Sequence, residues 1–146
     1  ARSETLDTKP TFKNLIHKNR CIVLSDGFYE WKQNGSSKIP HFICHKENRI
    51  LPMAGLCKWD VDGEGLKKLV FTIITKEARD SLKHIHHREP VILTKKAVKS
   101  WITVNEPQNK PLNVLQDNLD GMISYPVDSY VNTSSNDGVK CISQLN

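Results

Sequence analysis

With 146 residues, 38% of them hydrophobic and 25% charged, the chain is long enough to bury a substantial core, and its composition excludes wholesale disorder. No apolar run approaches the ~20 residues needed to cross a bilayer as a helix, and the opening A-R-S-E-T lacks a signal-peptide core. Twenty-one basic against 16 acidic residues leave a formal charge of +5. That charge favours an anionic partner such as nucleic acid only weakly, because no arginine-rich tail or lysine block concentrates it.

In chain order, a first strand is predicted over residues 21–24, followed by the turn signal Asp26-Gly27 and an aromatic run. The stretch S-D-G-F-Y-E-W-K, residues 25–32, therefore reads as a strand that bends and continues. Alternation puts Phe28 and Glu30 on one face, with Tyr29 and Trp31 on the other. Further strands are predicted at 40–43, 51–56, 70–75, 90–93 and 122–127, separated by turn-rich pieces at 34–37, 46–49 and 60–65. Thr75 is placed to N-cap a helix running to about His84, with Glu77 in its first turn and Ala78, Leu82 and Ile85 as its buried stripe. Thr94 caps a second helix whose Val98, Trp101 and Ile102 share a face. Pro111 starts a third, carrying Leu112 and Leu115. The polar segment 132–137, N-T-S-S-N-D, reads as loop. The strand–helix–strand piece 70–93 suits a parallel crossover, and the remaining strands suit antiparallel pairing. The expected architecture is α+β: a strongly bent, mostly antiparallel, barrel-like sheet with short flanking helices, in a single domain over 1–146.

Two constellations carry chemistry. Glu30 is an acid within an aromatic run, and a partly dry site disfavours its charged form, raising its pKa toward acid/base duty. Taken alone, a strand edge with Glu30 facing water is the better explanation. The second is I-H-H-R-E-P at 85–90, where His84, His86 and His87 crowd four positions. Metal sites usually draw on spaced ligands sharing one face, so no metal is expected, and a solvated loop is the plain alternative for each histidine. Cys21, Cys44, Cys57 and Cys141 form no C-x-x-C pair. The first three sit in apolar strand-like runs as small hydrophobes, which suits a reducing intracellular setting.

In order along the chain come A-R-S-E-T at 1–5, R-C-I-V-L-S-D-G-F-Y-E-W-K at 20–32, M-A-G-L at 53–56, F-T-I-I-T at 71–75 and I-H-H-R-E-P-V-I-L at 85–93. Y-P-V, V-N and N-D-G follow within 125–138. As an ordered set these resemble the SRAP family, abasic-site-processing proteins that crosslink to damaged single-stranded DNA, over nearly the whole chain. The double histidine is more similar to eukaryotic than to bacterial members. The resemblance implies an N-terminal cysteine, exposed by removal of the initiator Met. Its α-amine forms a Schiff base with a ring-opened abasic sugar, and its thiol then closes a thiazolidine. An α-amine pKa near ~8 leaves a useful fraction unprotonated at neutral pH. By resemblance Glu30 is the catalytic glutamate that shuttles protons in Schiff-base formation, Met removal and crosslink reversal. His86 is the histidine that holds the open sugar and assists as acid or base. Arg2 and Arg88 are the arginines that bind DNA by clamping phosphates beside the lesion.

Three family features are absent from these residues: the M-C-G-R start, a W-G-L-x-P-x-W segment and an asparagine before A-R-S-E-T. The resemblance therefore implies the C-terminal part of an SRAP domain, unable by itself to close a thiazolidine. Glu89 also stands where an apolar residue, typically Met, is usual, which implies a looser loop. The expected function is an abasic-site sensor that crosslinks covalently to single-stranded DNA, with an associated autopeptidase activity, in the DNA damage response. Two other readings remain open: a non-covalent single-stranded DNA-binding module, and a cysteine-type protease on other substrates. The expected partner is single-stranded DNA containing abasic sites, with no membrane, no cofactor and a monomeric state. The expected location is intracellular, nuclear in a eukaryote and cytoplasmic in a bacterium.

Overall fold

The structure is a computed structural model that describes residues 1–103 and 110–145. The chain divides into two compact units. The first comprises Ala1–Leu24, Pro52–Lys76 and Pro90–Leu119, and the second Ser25–Leu51, Glu77–Glu89 and Asp120–Asn146.

The first unit is built on a sheet ordered β1 (Arg20–Ser25), β4 (Leu51–Val61) and β5 (Lys67–Ile73). β4 and β5 pair antiparallel, with Gly55 opposite Ile73 and Val61 opposite Lys67. Short helices α1 (Pro10–Lys13) and α2 (Leu15–Lys18) precede the sheet, while α3 (Lys95–Ile102) and α4 (Pro111–Val114) follow it. Leu6, Ile16, Leu56, Ile74, Leu93, Trp101 and Leu115 fill this unit's core. Leu56 enters this core from β4, Ile16 from α2 and Trp101 from α3, while Leu6, Ile74, Leu93 and Leu115 enter from segments between elements.

α3 forms where its capping chemistry requires. The Thr94 side chain accepts a hydrogen bond from Ala97 N–H at 3.2 Å, satisfying one of the donors left open at a helix start. At the other end Arg20, 9% exposed, donates to the carbonyls of Trp101 and Thr103, and to Ile16 O within α2. The buried face of α3 consists of Ala97 and Trp101, with Val98 packed partly against the core. Trp101 and Val98 thus share a face as predicted, but Ile102 is 51% exposed and Ala97 takes its place. α4 begins at Pro111 as predicted, with Leu115 buried just past its end.

The second unit is a sheet ordered β2 (Gly27–Asn34), β3 (Ser37–His45) and β8 (Met122–Pro126), antiparallel throughout. Tyr29, Phe42 and Tyr125 pack in tilted pairs across it, with centroids 5.2 and 5.9 Å apart. They form a small core with Cys44 and Val127.

The helix predicted from Thr75 to about His84 is not formed. Thr75–Glu77 is instead the short strand β6, paired with β7 (Arg88–Pro90), and 79–86 is a pair of tight turns. The pairing runs antiparallel: Val91 N–H meets Ile74 O in the first unit, and Ala78 N–H meets His87 O in the second. No parallel crossover is therefore made over 70–93. Ala78, Leu82 and Ile85 are buried as expected, at 3%, 3% and 6% exposure, because two turns can bury the same spacing as a helix. The architecture is α+β with antiparallel sheets. Among the described residues none of the sheets closes, so barrel-like overstates it.

Candidate active site

The site lies wholly in the second unit, on β2 and the loop before β7. Its first determinant is the bend at Asp26-Gly27. Gly27 N–H donates to Ser25 Oγ at 3.3 Å, and the Ser25 hydroxyl donates back to Gly27 O. Any side chain at Gly27 would collide with the sheet, since a Cβ there would lie 2.3 Å from Phe42 Cζ and 2.7 Å from Ile43 O. The bend ends β1, and the extended chain resumes as β2, which pairs in a different sheet.

From Gly27 onward the alternation holds. Tyr29 and Trp31 lie on one face, ring centroids 6.4 Å apart, and Glu30 points to the other. The Glu30 side chain is 25% exposed. Burial holds its pKa above the ordinary carboxylate range, and the neighbouring imidazoles of His86 and His87 oppose that shift only in part. Glu30 Oε2 is 3.8 Å from His86 Nδ1, ion-pair range but beyond a direct hydrogen bond. The two groups thus lie side by side, close enough to act on one bound atom.

His86 is oriented by backbone. Arg88 N–H approaches its Nδ1 at 3.2 Å, and Arg88 O lies at the same distance. With the N–H donating, Nδ1 is the acceptor and the ring proton sits on Nε2. The exposed His87 ring lies 4.4 Å from that of His86, tilted by 42°. His84 is exposed, and among the described residues no group of three or more His, Cys, Asp or Glu is arranged to hold a metal ion.

Of the residues singled out in the sequence, Glu30 and His86 are brought together, and Arg88 meets His86 through its backbone. Arg2 belongs to the first unit, exposed, its backbone bridged in parallel to Thr75. The Ala1 amine in that unit donates to Ile73 O at 2.8 Å and to Thr72 Oγ1 at 3.3 Å. All four cysteines are free. Burial and the adjacent Cys57 push the Cys21 thiol up to about 11, and burial raises that of Cys44.

Sequence reasoning missed the partner of Glu89. Rather than loosening its loop, Glu89 is 1% exposed and accepts from Arg79 Nε at 2.9 and 3.1 Å and from Arg79 N–H at 3.2 Å. Arg79 Nη1 also lies 3.7 Å from Asp120. The available signal was an acid flanking the apolar run 90–93 with an arginine ten positions earlier.

Comparison with known proteins adds a family. The model of the family described as SOS response associated peptidase (SRAP) matches residues 1–134. Abasic site processing protein HMCES of Gallus gallus is 33% identical over 162 residues, a match covering 97% of this chain and 48% of the relative. Abasic site processing protein YoqW of Bacillus subtilis is 38% identical over 149 residues, covering 97% of this chain and 65% of the relative. The chain thus spans half to two thirds of the length of these relatives. A crystal structure of a Bacteroides thetaiotaomicron protein superposes with a TM-score of 0.86 at 32% identity, covering 99% of this chain and 65% of that one.

Proposed function

The chain belongs to the SRAP family, and from that premise we propose that it serves abasic-site processing as part of one SRAP domain. In this reading it crosslinks covalently to abasic sites in single-stranded DNA, inside the cell, and the same site removes an initiator Met by autoproteolysis. The amine of an N-terminal cysteine adds to the sugar aldehyde, water leaves to give a Schiff base, and the thiol adds to the imine carbon. The first position here is Ala1, so the proposal concerns a protein that carries such a cysteine ahead of these residues.

The observation that carries the reading is Glu30 Oε2 facing His86 Nδ1 at 3.8 Å, with the carboxyl pKa raised by burial. A carboxyl with a raised pKa can protonate the departing hydroxyl of the carbinolamine and afterwards take a proton from the thiol. His86, with its ring proton on Nε2, donates a hydrogen bond to an oxygen of the opened sugar. Arg88 in the same unit, and Arg2, supply guanidinium groups suited to phosphates. The raised thiol pKa values of Cys21 and Cys44 leave these two as poor nucleophiles at neutral pH, which weighs against a protease built on either.

The test is a denaturing gel. The chain extended by a Met-Cys-Gly start and its family segment is incubated with single-stranded DNA carrying one abasic site. A heat-stable band is expected, its rate of formation lowered by roughly 100-fold in Glu30→Gln and His86→Ala. A complex visible only in native gels would replace this reading with a non-covalent binding module, and undiminished crosslinking by both variants would remove these residues from it.

A further inference from the structure

We infer that Glu89, through its ion pair with Arg79, is a positioning residue that sets which ring nitrogen of His86 carries the proton; the role in catalysis rests on the reading of the site given above.

The chain of contacts is short and lies within the second unit. His86 Nδ1 is equidistant, at 3.2 Å, from the N–H and the C=O of Arg88. One of those groups is a donor and the other an acceptor. The choice of tautomer therefore depends on how the backbone at residue 88 is turned beneath the imidazole. Glu89 is the next residue, and its nitrogen completes the peptide plane that contains Arg88 O. A carboxylate at 1% exposure, receiving both the side chain and the backbone N–H of Arg79, is held in one place, since separating a buried charge from its partner is strongly unfavourable. Ala78 N–H donates to His87 O at 3.0 Å beside it, and Leu82 and Ile85 are buried within the loop. The 79–89 loop is thus closed across its base by a charge pair and a backbone bond. The imidazole that faces Glu30 rides on that closure.

An apolar pair of similar volume would close the same loop and often would be no less stable. What it lacks is the direction imposed by a carboxylate that accepts three hydrogen bonds from one residue. That difference separates positioning from mere packing.

The experiment uses the chain extended as above and labelled with nitrogen-15 histidine. Imidazole nitrogen shifts report the tautomer of His86, assigned by its loss in His86→Ala. In the unchanged protein His86 is expected mainly as the Nε2–H form at a pH where it is neutral. In the Arg79→Met/Glu89→Met double variant, whose apolar pair preserves the packing, the tautomer ratio is expected to shift several-fold toward Nδ1–H. Crosslinking per folded molecule should fall on the order of 10-fold to 100-fold. Glu89→Gln, which keeps the shape and one acceptor, should move both quantities less, in the same direction, and serves should the double variant not fold. Unchanged nitrogen shifts in a folded variant overturn the inference. Absence of crosslinking in the unchanged protein sinks the catalytic reading instead, and the nitrogen shifts still decide the positioning.

Discussion

Glu30 shows how far a single side chain can be read before coordinates. Strand alternation alone separated it from Tyr29 and Trp31, and the ring contact between those two bears this out. Its pKa is raised by burial, against a smaller opposing pull from His86 and His87. The linkage has a definite sign. An acid whose folded pKa exceeds its unfolded value contributes stability below the ordinary glutamate value of ~4.3, and that contribution is lost as pH rises through the folded value. The melting temperature of the native protein is therefore expected to fall relative to Glu30→Gln as pH is raised from about 4 to 7. Parallel melting curves across that range would show that Glu30 is as solvated folded as unfolded. What sequence could not show was the role of the Arg88 backbone under His86, because hydrogen bonds across a turn leave no periodic trace.

At the scale of elements, capping chemistry was legible and loop conformation was not. Thr94 starts α3 where its side chain suggested, and Thr94→Ala is expected to cost about 1 kcal/mol, measured by denaturant unfolding with an unchanged m value. Arg20 was unforeseen. It lies 81 residues before Trp101, the helix-end carbonyl it satisfies. Arg20→Met should cost about 3 kcal/mol, since it strands buried carbonyls within α2 and at the end of α3. Thr75 shows the opposite failure. Its segment has a helical apolar spacing, yet 75–77 pairs with 88–90 as strand and the spacing is realised by turns. Tertiary pairing overrode a short local preference, as it can where only two or three turns are at stake. Gly27 is the element-level feature closest to the site. Gly27→Ala pushes a methyl into Phe42 and Ile43 O, and is expected to lower stability by about 1–3 kcal/mol and displace Glu30 along β2, read as a loss of crosslinking rate greater than the loss of folded protein.

For the whole molecule, the α+β class and the antiparallel pairing were legible because apolar runs and turns alternate at strand length. Division into two compact units was not, because the chain passes between them repeatedly and no linker marks a boundary. One face of β4 and β5 remains apolar. In register Trp59 stands opposite Leu69 and Cys57 opposite Phe71, and Trp59, Val61, Leu69 and Phe71 are 56–68% exposed. A stripe of this kind promotes association. These 146 residues alone are expected to sediment with a concentration-dependent mass, and Trp59→Lys/Phe71→Lys to shift them toward monomer; a constant monomeric mass for the unaltered chain would contradict this.

The three tryptophans meet solvent to very different extents: Trp101 at 0%, Trp31 at 37% and Trp59 at 68% exposure. Trp31 belongs to the second unit, and the other two to the first. Iodide will therefore extinguish the emission of Trp59 and much of that of Trp31 while leaving a blue-shifted component from Trp101. As the first core melts, that protected light should redden, so single-tryptophan variants give each half of the polypeptide its own optical thermometer.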